Sequence, residues 1–283
     1  MNKACRVLDS MEPSYVLEGA GVRLKRSFSP LVTNLYDPFL LFDHFAFNQP
    51  IEAAAVGFPM HPHRGIETVT YMLVGKVDHR DSLGNQGQIG PDDVQWMTAG
   101  GGILHEEMPR IGSDRALTGF QLWVNMPAAQ KMTHPRYQGV SASGIPIPQG
   151  NGWSAHVIAG RVGNIRGPVD GIAAGPLYLD VCMEAGSEFV QPVPQTHTVL
   201  VYIFEGQGQF GNQLISAVKM VVMGGGNYVR VLTLDTPVRF ILMAGEPLKE
   251  PIAPYGPFVM NTSEEIQQAL ADLRKGTFVK DYK

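Results

Sequence analysis

Short apolar runs broken by turn residues recur along the whole chain. Residues 66–74, 94–98, 120–124, 198–204 and 238–243 are rich in Val, Ile, Tyr, Phe and Trp, and Gly-containing polar clusters at 83–85, 90–93, 205–208 and 224–227 separate such runs. Runs of this length bounded by turn signals read as strands, and their regular recurrence predicts an antiparallel sandwich or barrel rather than an alternating strand–helix fold. One stretch has helical period. Over residues 264–275, Ile266, Leu270 and Leu273 form an apolar stripe, Thr262-x-x-Glu265 forms a capping box, and Gly276 supplies the stop. The two halves share an outline, because Tyr71-Met72-Leu73-Val74-Gly75 and Tyr202-Ile203-Phe204-Glu205-Gly206 both end a run in a glycine turn. That similarity predicts two related β-barrels in tandem. A Pro- and Gly-rich stretch at 139–152 lies between them, and the boundary is expected near Gly175. The expected domains are therefore 1–175, and 176–283 ending in the helix.

Composition supports frequent turns. Glycine and proline number 32 and 21 in 283 residues, while charged residues make up only 17%. A net charge of −4 offers no electrostatic footprint for nucleic acid or an anionic membrane, so small or neutral partners are expected. Cys5 and Cys182 are too few for a disulfide framework or a thiolate zinc site. With no apolar run of signal-peptide or membrane-spanning length, the chain reads as soluble and cytoplasmic, and nuclear as well in a eukaryote.

Candidate chemistry sits in two i, i+2 pairs, His61-x-His63 and His105-x-Glu107. Residues two apart on a strand share a face about 6.6 Å apart, so two adjacent strands can aim four donors at one point. Three imidazoles and a carboxylate suit a first-row metal with coordination positions left open. Glu67, four residues past His63, would face the same way in an unbroken strand. Glu106 should point away. His44, His79, His134, His156 and His197 lack paired spacing and read as surface or packing residues. Arg23, Lys25 and Arg26 form a small basic cluster, expected on a solvated strand face.

The wording around these pairs is more specific than their spacing. His61-Pro62-His63-Arg64-Gly65-x-Glu67-Thr68-Val69-Thr70-Tyr71, Gln95-Trp96-Met97-Thr98-Ala99-Gly100-x-Gly102-Ile103-x-His105-x-Glu107 and Gly256-Pro257-Phe258-Val259-Met260-Asn261-Thr262 all resemble the pirin family, two-barrel metalloproteins of the cupin class. The resemblance also takes in residues 23–43 and the C-terminal helix. It implies an all-β fold of two tandem cupin barrels with a short C-terminal helix. It further implies a metal held by His61, His63, His105 and Glu107 in the first barrel, and none in the second, where His197 has no partners. Iron(II) is the leading metal, with Ni, Cu, Mn, Co and Zn as alternatives. In the wider cupin class a glutamate at the spacing of Glu67 is often a ligand; here it is expected to orient an imidazole, with ligation as the alternative.

Two functions follow from the resemblance. One is a quercetin 2,3-dioxygenase activity, in which a flavonol binds through its 3-hydroxyl and O2 opens the heterocycle with loss of carbon monoxide, Glu107 acting as base. The other is a redox-sensitive regulatory protein that binds a transcription factor or a metabolic enzyme. The partners expected are a small aromatic substrate and O2, or a protein; direct nucleic-acid or membrane binding is not, and the chain is expected to be a monomer.

Overall fold

The computed structural model describes residues 3–31, 33–47, 57–110 and 117–280. It contains two compact units, Ser14–Ala142 with Leu248–Lys283 (the first barrel) and Ser143–Pro247 with Met1–Pro13 (the second). Both are cupin barrels of antiparallel strands.

In the first barrel the strands that matter here are β1 (Val22–Phe28), β2 (Phe39–Phe47), β3 (Phe58–His63), β4 (Ile66–Val74), β5 (Lys76–Asp81), β6 (Val94–Thr98), β7 (Ile103–Arg110) and β8 (Leu117–Asn125). Seven strands make one sheet, in the order Arg136–Val140, β6, β4, β8, β2, β1, Ser14–Glu18. Four make the other: β3, β7, β5 and Gln86–Ile89. Side chains alternate across each strand, so every second residue reaches the space between the sheets. At one end of that space Val22, Leu24, Phe45, Met72, Val77, Ile89 and Leu117 form an apolar cluster.

The boundary expected near Gly175 is corrected. The division falls at Ala142 and Ser143, inside the Pro- and Gly-rich stretch. Strand Trp153–Ala159 pairs with Leu177–Met183 along its length, which ties the residues before Gly175 into the second barrel. At the other end, strand Arg6–Met11 pairs with Lys219–Gly224 of that same unit. The second barrel is filled by apolar side chains, among them Val157, Leu179, Phe189, Val201, Phe210, Phe240 and Leu242.

The C-terminal helix also belongs elsewhere than expected. It spans Ser263–Lys275, with the Thr262–Glu265 capping box closed and Gly276 left-handed at φ 70°. Yet it caps the first barrel rather than the second. The reason is apolar burial. Ile252 and Val259 pack with Leu40, Ile66, Met97 and Ile103. Phe258, Met260, Ile266 and Phe278 form a second cluster with Leu104. A substantial part of the apolar surface of the tail is thus removed from water by the barrel that carries the histidine pairs.

This placement predicts that residues 1–175 alone, or a chain lacking 248–283, will be insoluble or bind little metal, because either truncation uncovers Ile66, Ile103 and Leu104. Sedimentation and metal counting on both fragments are the check. A soluble, metal-replete 1–175 fragment would refute it. Phe278→Ala in the full chain should cost about 3–4 kcal/mol, read from denaturant unfolding.

Candidate metal centre

The chain leaves one sheet and enters the other between His63 and Ile66. Arg64 and Gly65 make the crossing, with Gly65 at φ 78°. A Cβ on Gly65 would stand 2.3 Å from the Val259 carbonyl oxygen, so only glycine lets the C-terminal segment close over this corner. The break decides where Glu67 goes. Its carboxylate accepts hydrogen bonds from Trp96 Nε1 (3.1 Å) and Thr98 Oγ1 (2.9 Å) on β6. Burial raises its pKa against those two donors. The unbroken-strand expectation therefore does not hold: Glu67 is tied to the β6 side chains, and no hydrogen bond to an imidazole is found for it among the described residues.

Strands β3 and β7 pair with His105 opposite His61. Donor atoms of His61, His63 and His105 all lie within 4.8 Å of one another. Glu107 stands outside that cluster. A register shift in β7 separates it from His105, and its carboxylate accepts from Thr70 Oγ1 at 2.7 Å and Gln121 Nε2 at 3.3 Å. Glu106 points the other way, paired with Arg80 at 2.5 Å. His79 stacks on Tyr137 and contacts Gln95, while His44 packs on Phe120. Neither joins the cluster.

The ring nitrogens show what the cluster is suited to hold. His61 Nδ1 is 2.9 Å from the Pro59 carbonyl oxygen, and His63 Nδ1 is 3.3 Å from that of Pro257. A carbonyl only accepts, so each imidazole carries a proton on Nδ1, and a neutral ring held this way presents a bare Nε2. These two Nε2 atoms are 3.0 Å apart. Facing lone pairs at that distance repel unless a cation lies beside them, and two ligands about 2.1 Å from one ion at near 90° would be about 3.0 Å apart. His105 is buried with both ring nitrogens lacking a hydrogen-bond partner among the described residues. Protonation is no remedy for His63, because burial and the neighbouring His61 push its pKa down to about 3. His105 is lowered too, by burial first and then by the other imidazoles. Three imidazoles whose ring nitrogens converge fit a borderline divalent transition metal.

A cavity of about 490 Å³ opens beside the histidines. Leu24, Leu41, Phe45, Phe58, Val77, Leu117 and Trp123 supply apolar wall, and His61, His63, Thr70, Glu107 and Gln121 supply polar groups. Trp123 meets His63 edge-on, ring centroids 5.2 Å apart. Arg26 also lines the cavity, not the solvated face expected from its neighbours. Val22, Leu24 and Arg26 share one side of β1 by period 2, a signal present in the sequence.

Residues 21–124 match the pirin family and residues 178–279 the pirin C-terminal cupin domain. The chain belongs to the pirin family. It is 44% identical to human pirin over 265 residues, 91% of this chain and 88% of that one. It is 41% identical over 271 residues to a putative quercetin 2,3-dioxygenase of Pseudomonas aeruginosa, covering 92% of this chain and 93% of the relative. A crystal structure of quercetin 2,3-dioxygenase from Acinetobacter baumannii superposes with a TM-score of 0.88 at 33% identity, over 98% and 99% of the two chains. Among the described residues no helix is long and apolar enough to cross a membrane.

The chain carries a further element next to its histidine cluster that the motifs did not disclose. Arg64, 1% exposed, donates to Asp272 on the helix at 2.8 Å and to the Phe278 carbonyl oxygen at 3.3 Å, its guanidinium 4.4 Å from the centre of the Phe278 ring. Lys131 adds a second tie, donating to Gly65 O, Val259 O and Asn125 Oδ1 at 2.6–2.7 Å. Three acceptors match the three N–H bonds of an ammonium. Burial pulls its pKa down to about 7, against the opposing charges of Glu250 and Glu265. Both cations pin the corner after His63.

Asp272→Ala should cost about 3 kcal/mol, since it leaves the Arg64 charge buried and unpaired, and should weaken metal binding through His63. Burial pushes the Asp272 carboxyl up, but donation from Arg64 and Gln268 outweighs it, and its pKa is lowered. The stability it contributes is thus complete above the unfolded value of 3.8 and is lost as pH falls through the lower folded value. Wild type should lose stability over that window and Asp272→Ala should not show this component, in denaturant midpoints taken from pH 6 down to pH 2. Parallel curves for the two proteins would count against the tie.

Proposed function

We propose that this pirin is a metal-dependent dioxygenase that opens the heterocycle of a flavonol such as quercetin with O2, releasing carbon monoxide. The observation that carries this reading is the pair of bare Nε2 atoms 3.0 Å apart on the wall of a cavity of about 490 Å³. That volume lies in the range of small-molecule sites. The similarity to a putative quercetin 2,3-dioxygenase and to a quercetin 2,3-dioxygenase structure supports it.

His61, His63 and His105 would hold one divalent ion, iron(II) first among the candidates, with Glu107 as the fourth ligand. When bound, that ion supplies Lewis acidity and a redox partner for O2. The remaining work falls to this chain. Glu107 accepts the proton of the flavonol 3-hydroxyl, and Thr70 and Gln121 fix the carboxylate in place. The apolar walls exclude water from the rings. Similarity to human pirin supports the second reading, a redox-sensitive regulatory protein with a protein partner. The cavity beside the histidines supports the enzyme reading, because a surface read by a partner needs no such volume.

His61→Ala should lose most of its metal, measured by elemental analysis of purified protein. Glu107→Gln should keep part of the metal and lose at least 100-fold in quercetin-dependent O2 uptake, because an amide cannot take the proton. Full turnover at matched metal content would eliminate the base role. His197→Ala should leave the stoichiometry at one ion per chain; loss of a second equivalent would place metal in the second barrel.

A further inference from the structure

Four strands of the large sheet carry a polar row that faces the same cavity. Thr70 of β4 lies opposite Gln121 of β8, Gln121 opposite Asp43 of β2, and Asp43 opposite Arg26 of β1. All four line the cavity. Three strand spacings of about 4.8 Å put Arg26 about 14 Å from Thr70 along the sheet. The row starts at the metal centre, since Thr70 and Gln121 hold Glu107. It ends at a charged trio. Arg26 grips Asp43 with two prongs, Nε to Oδ1 at 2.8 Å and Nη2 to Oδ2 at 2.7 Å, and reaches Glu18 through Nη1 at 2.6 Å.

The chemistry of the trio is specific. Arg26 has five N–H bonds and spends three, leaving one on each terminal nitrogen. The two-pronged grip requires both Asp43 oxygens as acceptors, and each keeps a lone pair, as does the second oxygen of Glu18. One cation against two carboxylates leaves the trio one negative charge in surplus. Such a group can donate to and accept from the same ligand atom, as a hydroxyl requires, and it repels a carboxylate.

We infer that Asp43 and Glu18, set by Arg26, are specificity-determining residues that recognise the end of the substrate remote from the metal, selecting an uncharged aromatic bearing hydroxyl groups over one bearing a carboxylate. The inference rests on the flavonol reading above and adds which flavonols the cavity prefers. Hydrogen bonds from a ligand hydroxyl to an ionised acceptor in an apolar cavity discriminate by about tenfold or more.

The test is equilibrium binding to the metal-loaded full chain under nitrogen, followed by quenching of tryptophan fluorescence, with Trp123 on the cavity wall as reporter. The probes are 3-hydroxyflavone, its 3′,4′-dihydroxy derivative and its 4′-carboxy derivative. Wild type should bind the dihydroxy compound at least tenfold more tightly than the parent, and the carboxy compound at least tenfold more weakly. Glu18→Gln and Asp43→Asn should each shrink both ratios several-fold while leaving the affinity for the parent within about twofold. Glu18 is 41% exposed in its side chain and tolerates the change, so it decides the matter should Asp43→Asn fail to fold. Equal affinities for the three probes, or ratios unchanged in Glu18→Gln, would overturn the inference while leaving the dioxygenase reading intact if quercetin still turns over. A protein that binds none of the three would sink both.

Discussion

The closure of the C-terminal segment over the corner at Arg64 and Gly65 is the constraint on which the histidine cluster depends. A guanidinium at 1% exposure is costly unless paired, and its partners, Asp272 and the Phe278 carbonyl, lie more than two hundred residues further along the chain. The same closure brings the Pro257 carbonyl to His63 Nδ1 and the Val259 carbonyl to Lys131. One segment thereby orients His63 and buries the apolar flank of β7. A barrel without that segment would keep its three histidines and lose what aims one of them.

The corner also separates functions that adjacent sequence would merge. His63 and Glu67 are four residues apart, yet the crossing at Gly65 puts them in different sheets. One meets the cavity and the other meets Trp96 and Thr98. Glu107 enters the cavity from β7, held by Thr70 and Gln121 rather than packed among the imidazoles.

Polar groups in this cavity come in registered sets, not scattered points. Thr70, Gln121, Asp43 and Arg26 sit opposite one another on successive strands, so an antiparallel ladder turns isolated residues into a continuous polar path across an otherwise apolar wall. The ladder also explains why Arg26 departs from Arg23 and Lys25. Both of those lie over the Tyr15 ring, whereas period 2 turns Arg26 toward Asp43.

Much of this was legible in the sequence. Two i, i+2 pairs marked the strands that bring His61, His63 and His105 together because strand geometry is local, and the capping box and Gly276 marked both helix ends because caps are local too. The wording of the motifs carried the family and with it the two barrels. Tertiary structure alone decided the rest. Which barrel owns the helix depends on apolar surfaces far apart in the chain, and nothing in residues 248–283 names Ile66 or Leu104 as their cover. The division at Ser143 follows from strand pairing across long separations. The fate of Glu67 turned on one positive φ at Gly65, and the place of Arg26 on its register with Asp43. Local pattern determines which face a residue shows; only packing determines what that face meets.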